Sequence, residues 1–220
     1  MPVEQHIFHL VNGGAWTHPA LDRAMFLVSA WSVWWPLLAF ACVAILVCGS
    51  FRARAFVLIT AIAVGIADGV IVRPLKKVAG RPRPHESIEG VRGIVHDRTT
   101  ISRWEAAFVR PLQITVSESP LIIRSGKSFP SAHSANNFAV AGVALVFFRR
   151  RAWPFFVFAA AVAYSRLHLG VHWPSDVIAG ACIGLVVGML TTLLVDWLWH
   201  RAIAPHFPKL AAAHPNLYRQ

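Results

Sequence analysis

Three short polar clusters in this chain combine residue types that can hold and attack an anion. The first is Lys76, Lys77 and Arg81-Pro82-Arg83-Pro84. Each proline fixes its own φ and restricts the residue before it. The arginines therefore stand on stiff backbone, which suits a fixed anion site. A basic membrane flank fits the composition equally well. The second cluster is Ser128-Phe129-Pro130-Ser131-Ala132-His133, with Asn136 and Asn137 close behind. Pro130 and Ser131 are good helix starters, and the free N–H groups of a helix start bind anions. The plainer alternative makes Ser131 an N-cap and His133 a polar interface residue. Gly126-Lys127-Ser128 imitates the end of a P-loop, but Leu121 stands where its first glycine belongs.

The third cluster runs from Ser165-Arg166 through His168, Gly170 and His172 to Trp173-Pro174-Ser175-Asp176. An arginine and two histidines at the end of an apolar segment are costly unless paired. His172 and Asp176 fit a histidine oriented by a carboxylate. His168, His172 and Asp176 could also be read as metal ligands. Gly170 and Pro174 would break the helix needed to align them, and no third strong ligand stands nearby. Taken together, the clusters offer fixed cations, a helix start, two histidines and a carboxylate. That set serves phosphoryl transfer through a histidine nucleophile: cations and N–H groups hold the oxygens, one histidine attacks, and the other protonates the leaving group.

These residues need elements to place them. The chain has 220 residues, 56% hydrophobic and 14% charged, with a mean hydropathy of +0.54. Soluble domains run at about 45–50% apolar and about 25% charged, so the composition argues against an ordinary soluble enzyme and against a disordered chain. Apolar runs cover 24–48, 55–72 (interrupted by Asp68), 134–148, 152–165 and 177–195. The first is long enough to cross ~30 Å of hydrocarbon. The third and fourth reach that length only if the polar residues at their ends belong to the same helices. The expected fold is all-α: an integral membrane bundle of five or six transmembrane helices, with a polar loop over 73–127 carrying short helices. Residues 1–23 are expected as an interfacial segment, with Ile7, Phe8, Leu10 and Val11 on one side. Residues 24–199 form the membrane domain and 200–220 a cytoplasmic tail. No cleaved signal peptide is expected, so the first long apolar run is an uncleaved anchor.

Net charge is +11, from 21 Lys+Arg against 10 Asp+Glu. The loop 73–127 holds 11 of the cations and five of the acids. Arg52, Arg54, Arg149–Arg151 and the basic tail share one face of a five-span bundle. By the positive-inside rule that face is cytoplasmic, and the three clusters lie outside. Trp153, Trp197 and Trp199 fit an inner aromatic belt, and Trp31, Trp34 and Trp35 an outer one. Cys42, Cys48 and Cys182 form no CxxC pair and read as small core hydrophobes. Gly180, Gly184 and Gly188 make a small-residue stripe for close helix contact, within the monomer rather than between copies. Asp68 reads as a support for the basic site, as a partner of Arg166 or as a helix–helix hydrogen bonder. His85 and His96 read as surface residues.

The clusters resemble the three signature motifs of the type 2 phosphatidic acid phosphatase family, which shares its site with vanadium haloperoxidases. Lys76 through Arg83-Pro84 matches the first motif. Pro130-Ser131-Ala132-His133 matches the second, with Ala132 in place of the commonest Gly. Ser165-Arg166, His172 and Asp176 match the third. The resemblance implies that His172 is the nucleophile, Asp176 orients it, and His133 is the acid for the leaving group and then the base for water. It implies phosphate binding by Lys76, Arg83, Ser131, Ala132 and Arg166, with no metal and no cofactor. The implied substrate is a lipid mono- or diphosphate at the outer face of an inner membrane. The stretch from Asn12 to Met25 resembles the start of undecaprenyl-diphosphate phosphatases and favours that lipid over phosphatidylglycerol phosphate, phosphatidic acid or lipid A phosphates. Expected partners are the lipid substrate and membrane lipids, not nucleic acid, with monomer and dimer both open. A vanadate-dependent haloperoxidase and a non-catalytic lipid-binding protein are the alternatives.

Overall fold

The computed structural model describes residues 3–13, 17–95, 112–117 and 126–218. Helices dominate. Helix α1 spans Val3–Asn12, α2 Pro19–Ser29, α3 Trp31–Cys48 and α4 Phe51–Gly65. Helix α4 continues through a wide π-type segment, Ile66–Val72, into α5, Arg73–Ala79. A short α6, Pro84–Ser87, precedes strands β1, Arg92–Val95, and β2, Gln113–Val116. Then come α7 Ala132–Phe148, α8 Trp153–His168 and α9 Pro174–Leu198, followed by a terminal turn of helix, α10 Pro208–Ala213.

Among the described residues, three helical stretches are long and apolar enough to cross a membrane: Trp31–Cys48, Phe51–Ser87 and Pro174–His206. Helices α7 and α8, with 17 and 16 residues, are shorter. Large apolar side chains face outward, such as Phe40, Val70, Ile178, Leu190 and Leu194, while small ones fill the interior. That is the pattern expected when the solvent is hydrocarbon and helices associate by close backbone approach. The expectation of an all-α membrane bundle holds. Two features refine it. The loop 73–127 begins as helix, and it carries a two-stranded antiparallel sheet that pairs Arg92 with Val116 and Val95 with Gln113. The first apolar run is not one helix: Ala30 is extended at φ −77°, ψ 90°, and separates α2 from α3. Ser29 Oγ bonds back to Met25 O at 3.2 Å, and Trp34 Nε1 caps Leu27 O at 2.8 Å, so the break satisfies its own backbone.

The centre of the bundle is the α7–α9 pair. A Cβ on Gly180 would stand 2.5 Å from Ser131 O, and one on Gly142 would stand 2.6 Å from Leu185 O. Gly184 and Gly188 meet Ala135 O and Ala139 O in the same way. The glycine stripe thus packs within the chain, as expected. Ala63 and Ala67 of the α4 rod lie buried in the bundle, Ala67 against Ala139 and Val187. At the end remote from the motifs, Ile59, Val143, Phe147, Trp199 and Leu217 form one apolar cluster. His214 stacks on Phe51 with ring centroids 4.1 Å apart, and Leu217 N donates to Asp196 Oδ1 at 3.1 Å. Arg52 donates to Phe147 O, which joins the basic turns at this end.

Candidate active site

All three motifs meet at the other end, where α5 and α8 finish and α7 and α9 begin. Local chain chemistry fixes each piece. Helix α8 ends at His168, Gly170 takes a left-handed φ of +71° that favours glycine, and Pro174 opens α9. Asp176 sits at the third position of α9 and accepts the Trp173 N–H at 2.9 Å. The carboxylate is thereby both a helix cap and a partner for His172.

His172 and Asp176 are buried, 3% and 0% exposed. His172 Nδ1 lies 3.5 Å from Asp176 Oδ2 and 3.5 Å from Ser128 Oγ, while Ser128 Oγ itself donates to Asp176 Oδ2. These contacts occupy Nδ1 and leave Nε2 without a partner among the described residues. Burial, reinforced by the charges of Arg166 and Lys76, pushes the His172 imidazole down to about 4, against the pull of Asp176. The ring is therefore neutral at neutral pH.

The cations gather around it. Lys76 Nζ donates to Lys127 O at 2.8 Å and Ser128 O at 3.4 Å, which ties the first motif to the second. Arg83 lies within electrostatic reach of both Lys76 and Arg166, and those two act on both His133 and His172. Ser131 is the N-cap of α7, its Oγ accepting from Ser134 N at 3.4 Å, and its own N–H donates to Asp176 O at 2.9 Å. The N–H groups of Ala132 and His133 find no acceptor among the described residues. The structure thus brings together Lys76, Arg83, Ser131, Ala132, His133, Arg166, His172 and Asp176.

Several placements differ from expectation or were not foreseen. Among the described residues Asp68 pairs with neither Arg166 nor another helix; it bridges Arg73, one turn along its own rod, at 2.9 Å, and its charge acts on Lys76 of the basic site. His85 is not a surface residue. It is partly buried, and both its N–H and its Nδ1 reach Gly170 O, at 3.3 and 2.9 Å, two residues before His172. His96 lies outside the described residues. His168 does not join His172: its Nε2 meets Asp22 Oδ1 at 2.6 Å. The other oxygen of Asp22 holds Arg92 at 2.7 Å, and Asn12 bridges Arg92 O and His168 O. Ser29 was missed. At the α2–α3 break its Oγ accepts from Arg166 at 2.9 Å, and its backbone lies near the His133 ring. Inside an apolar run it gave no signal except that it was one of the few hydroxyls there.

Comparison with known proteins shows the family. The family model of the PAP2 superfamily matches residues 52–200. The chain belongs to the PAP2 superfamily. Phosphatidylglycerophosphatase B of Escherichia coli is 32% identical over 73% of this chain and 68% of its own length. Undecaprenyl-diphosphatase BcrC of Bacillus subtilis is 26% identical over 87% of this chain and 84% of its own. Lipid A 4'-phosphatase of Bacteroides thetaiotaomicron is 43% identical, but the match spans only 30% of either chain. These relatives are named as lipid phosphatases, which are hydrolases. The crystal structure of Aquifex aeolicus LpxE superposes with a TM-score of 0.57 at 23% identity, covering 87% of this chain and 95% of that one. That likeness speaks for a shared membrane fold.

Proposed function

We propose that this PAP2-superfamily member is a membrane lipid phosphatase working through a phosphohistidine on His172. The observation that carries the reading is the buried His172–Asp176 pair, with Nδ1 occupied and Nε2 open beside three cations. In the proposed cycle, His172 Nε2 attacks phosphorus in line. The bond from phosphorus to the leaving oxygen breaks, and His133 gives that oxygen a proton. Asp176 supports the charge that develops on the ring. Water then attacks the phosphohistidine, His133 takes its proton, and inorganic phosphate leaves. Lys76, Arg83 and Arg166 hold the phosphate oxygens together with the Ala132 N–H and the Ser131 hydroxyl. Arg166 Nε, buried without a partner among the described residues, would find one in a phosphate oxygen.

The substrate we favour is undecaprenyl diphosphate. Support comes from the undecaprenyl-diphosphatase relative, which aligns over most of both chains, and from the stretch Asn12–Met25. The site is proposed to face the exterior of an inner membrane, with residues 1–23 at the interface and 200–220 on the cytoplasmic side. Purified protein in detergent should release phosphate with EDTA present. In a panel of undecaprenyl diphosphate, phosphatidylglycerol phosphate, phosphatidic acid and lipid A phosphate, the first should show the highest kcat/KM. A higher value for any other would replace it.

A further inference from the structure

Arg81 belongs to the stiff first cluster, yet it does not join Lys76, Arg83 and Arg166. It turns the opposite way, behind Asp176. One terminal nitrogen, NH1, donates to Asp176 Oδ1 at 2.8 Å and to Ser175 Oγ at 2.6 Å. The other, NH2, donates to Glu4 Oε2 at 2.7 Å. The guanidinium lies over the Trp173 ring, 5.1 Å from its centroid, and Trp173 Nε1 is held by Pro82 O at 3.0 Å. Glu4 completes the ring of contacts, accepting from Ser175 N at 3.0 Å and from Ser175 Oγ. One turn along α1, Phe8 is fully buried, its ring 5.6 Å from that of Trp173.

The distribution of partners on Asp176 gives Arg81 a specific place. Oδ2 takes Ser128, Trp173 N–H and His172. Oδ1 has one described partner, Arg81. Arg81 therefore fixes the carboxylate plane that orients the His172 ring. An arginine this close would also draw the carboxylate's charge away from the histidine. Glu4 offsets it. The Glu4 carboxyl stays charged: burial pushes it up, but the hydrogen bonds from Ser175 and Arg81 outweigh that and hold it below its ordinary value.

We propose that Arg81 and Glu4 are positioning residues for the Asp176–His172 pair, so that the N-terminal helix α1 completes the active site. This rests on the phosphatase reading above. Neither residue touches the phosphate; both act through Asp176. The groups facing His172 are Asp176, Arg166, Lys76 and His133, and of these only Asp176 is bonded to Arg81.

The test is kinetic, on the full chain in detergent with EDTA, using the best substrate of the panel. Arg81→Gln should lower kcat about tenfold or more while KM moves less than about twofold. Glu4→Gln, at a half-exposed position that tolerates change, should lower kcat by about threefold. The two should shift the acid limb of the pH profile in opposite directions. Removing the cation leaves a more negative field at His172 and moves the limb up; removing the anion moves it down. Glu4→Gln should have no further effect on kcat in the Arg81→Gln background, and Arg81→Lys should recover part of kcat. A purely structural role would change yield or melting without opposed limb shifts. Unchanged kcat and limbs, limbs that shift the same way, or effects that multiply independently in the double variant would overturn the proposal. If the wild type releases no phosphate, or His172→Ala is fully active, the phosphatase reading itself falls and this inference with it. An active wild type, an inactive His172→Ala and indifferent Arg81 and Glu4 variants overturn only the positioning role.

Discussion

At the scale of single residues, the site depends on one neutral imidazole. Protonated His172 has no lone pair for phosphorus, and its ring is held at about 4 chiefly by burial. Above that value the proposed nucleophile is competent; below it the lone pair is lost. The kcat/KM profile should stay level on the acid side down to about pH 4 and then fall about tenfold per pH unit. A limb near the ordinary histidine value would contradict the described environment. Ser29 supplies a second prediction. Its hydroxyl is the one described partner of the Arg166 guanidinium, so Ser29→Ala should raise KM about tenfold, the worth of one charged hydrogen bond, with a smaller change in kcat. The eight residues of the proposed site, which the structure brings near one another, were legible because motif spacing survives in the chain. The sequence did not show Ser29, Ser128 or Arg81 in their places. Those roles arise from contacts across 137, 48 and 95 residues of sequence, and no local pattern records them.

At the scale of elements, placement of the motifs depends on how closely α9 approaches α7. Gly180 and Gly184 face the backbone around Ser131 and Ala135, the very turn that carries the second motif. Gly184→Leu should separate the helices and lower the melting temperature in detergent, a cost of about 1–3 kcal/mol for overpacking, and reduce activity with it. Gly65→Ala is the control, because a Cβ there meets nothing within 4 Å; it should leave stability equal or slightly higher. The stripe was readable because a four-residue glycine period has few other uses in an apolar helix. The break at Ala30 was not readable, because residues 24–48 are continuously uncharged. Only the docking of Ser29 against Arg166 and His133 gives that break a purpose. The hairpin β1–β2 was hidden likewise, within a stretch whose polarity reads as loop.

At the scale of the whole molecule, cations among the described residues gather at two ends of the bundle. Arg52, Arg54 and Arg149–Arg151 gather at the end where Arg52 meets Phe147 O. Lys76, Arg81, Arg83 and Arg166 occupy the other, Lys76 held by Lys127 O and Ser128 O, Arg166 by Ser29 and Arg81 by Asp176, Ser175 and Glu4. This polarity underlies the proposed orientation. A cysteine at Lys127, exposed beside the site, in a background lacking Cys42, Cys48 and Cys182, should react with an impermeant maleimide in intact cells. Labelling only after lysis would invert the topology.

The account as a whole turns on the covalent step. His133→Ala removes the proposed base for water, and with an aryl phosphate, whose leaving group needs no proton from His133, it should let the intermediate accumulate. Rapid quenching at alkaline pH, followed by mass spectrometry of the His133→Ala variant with substrate, should find an acid-labile phosphoryl group on His172. Steady turnover of the wild type with no adduct on His172 in the trapping variant, or an adduct on a different residue, would contradict the account.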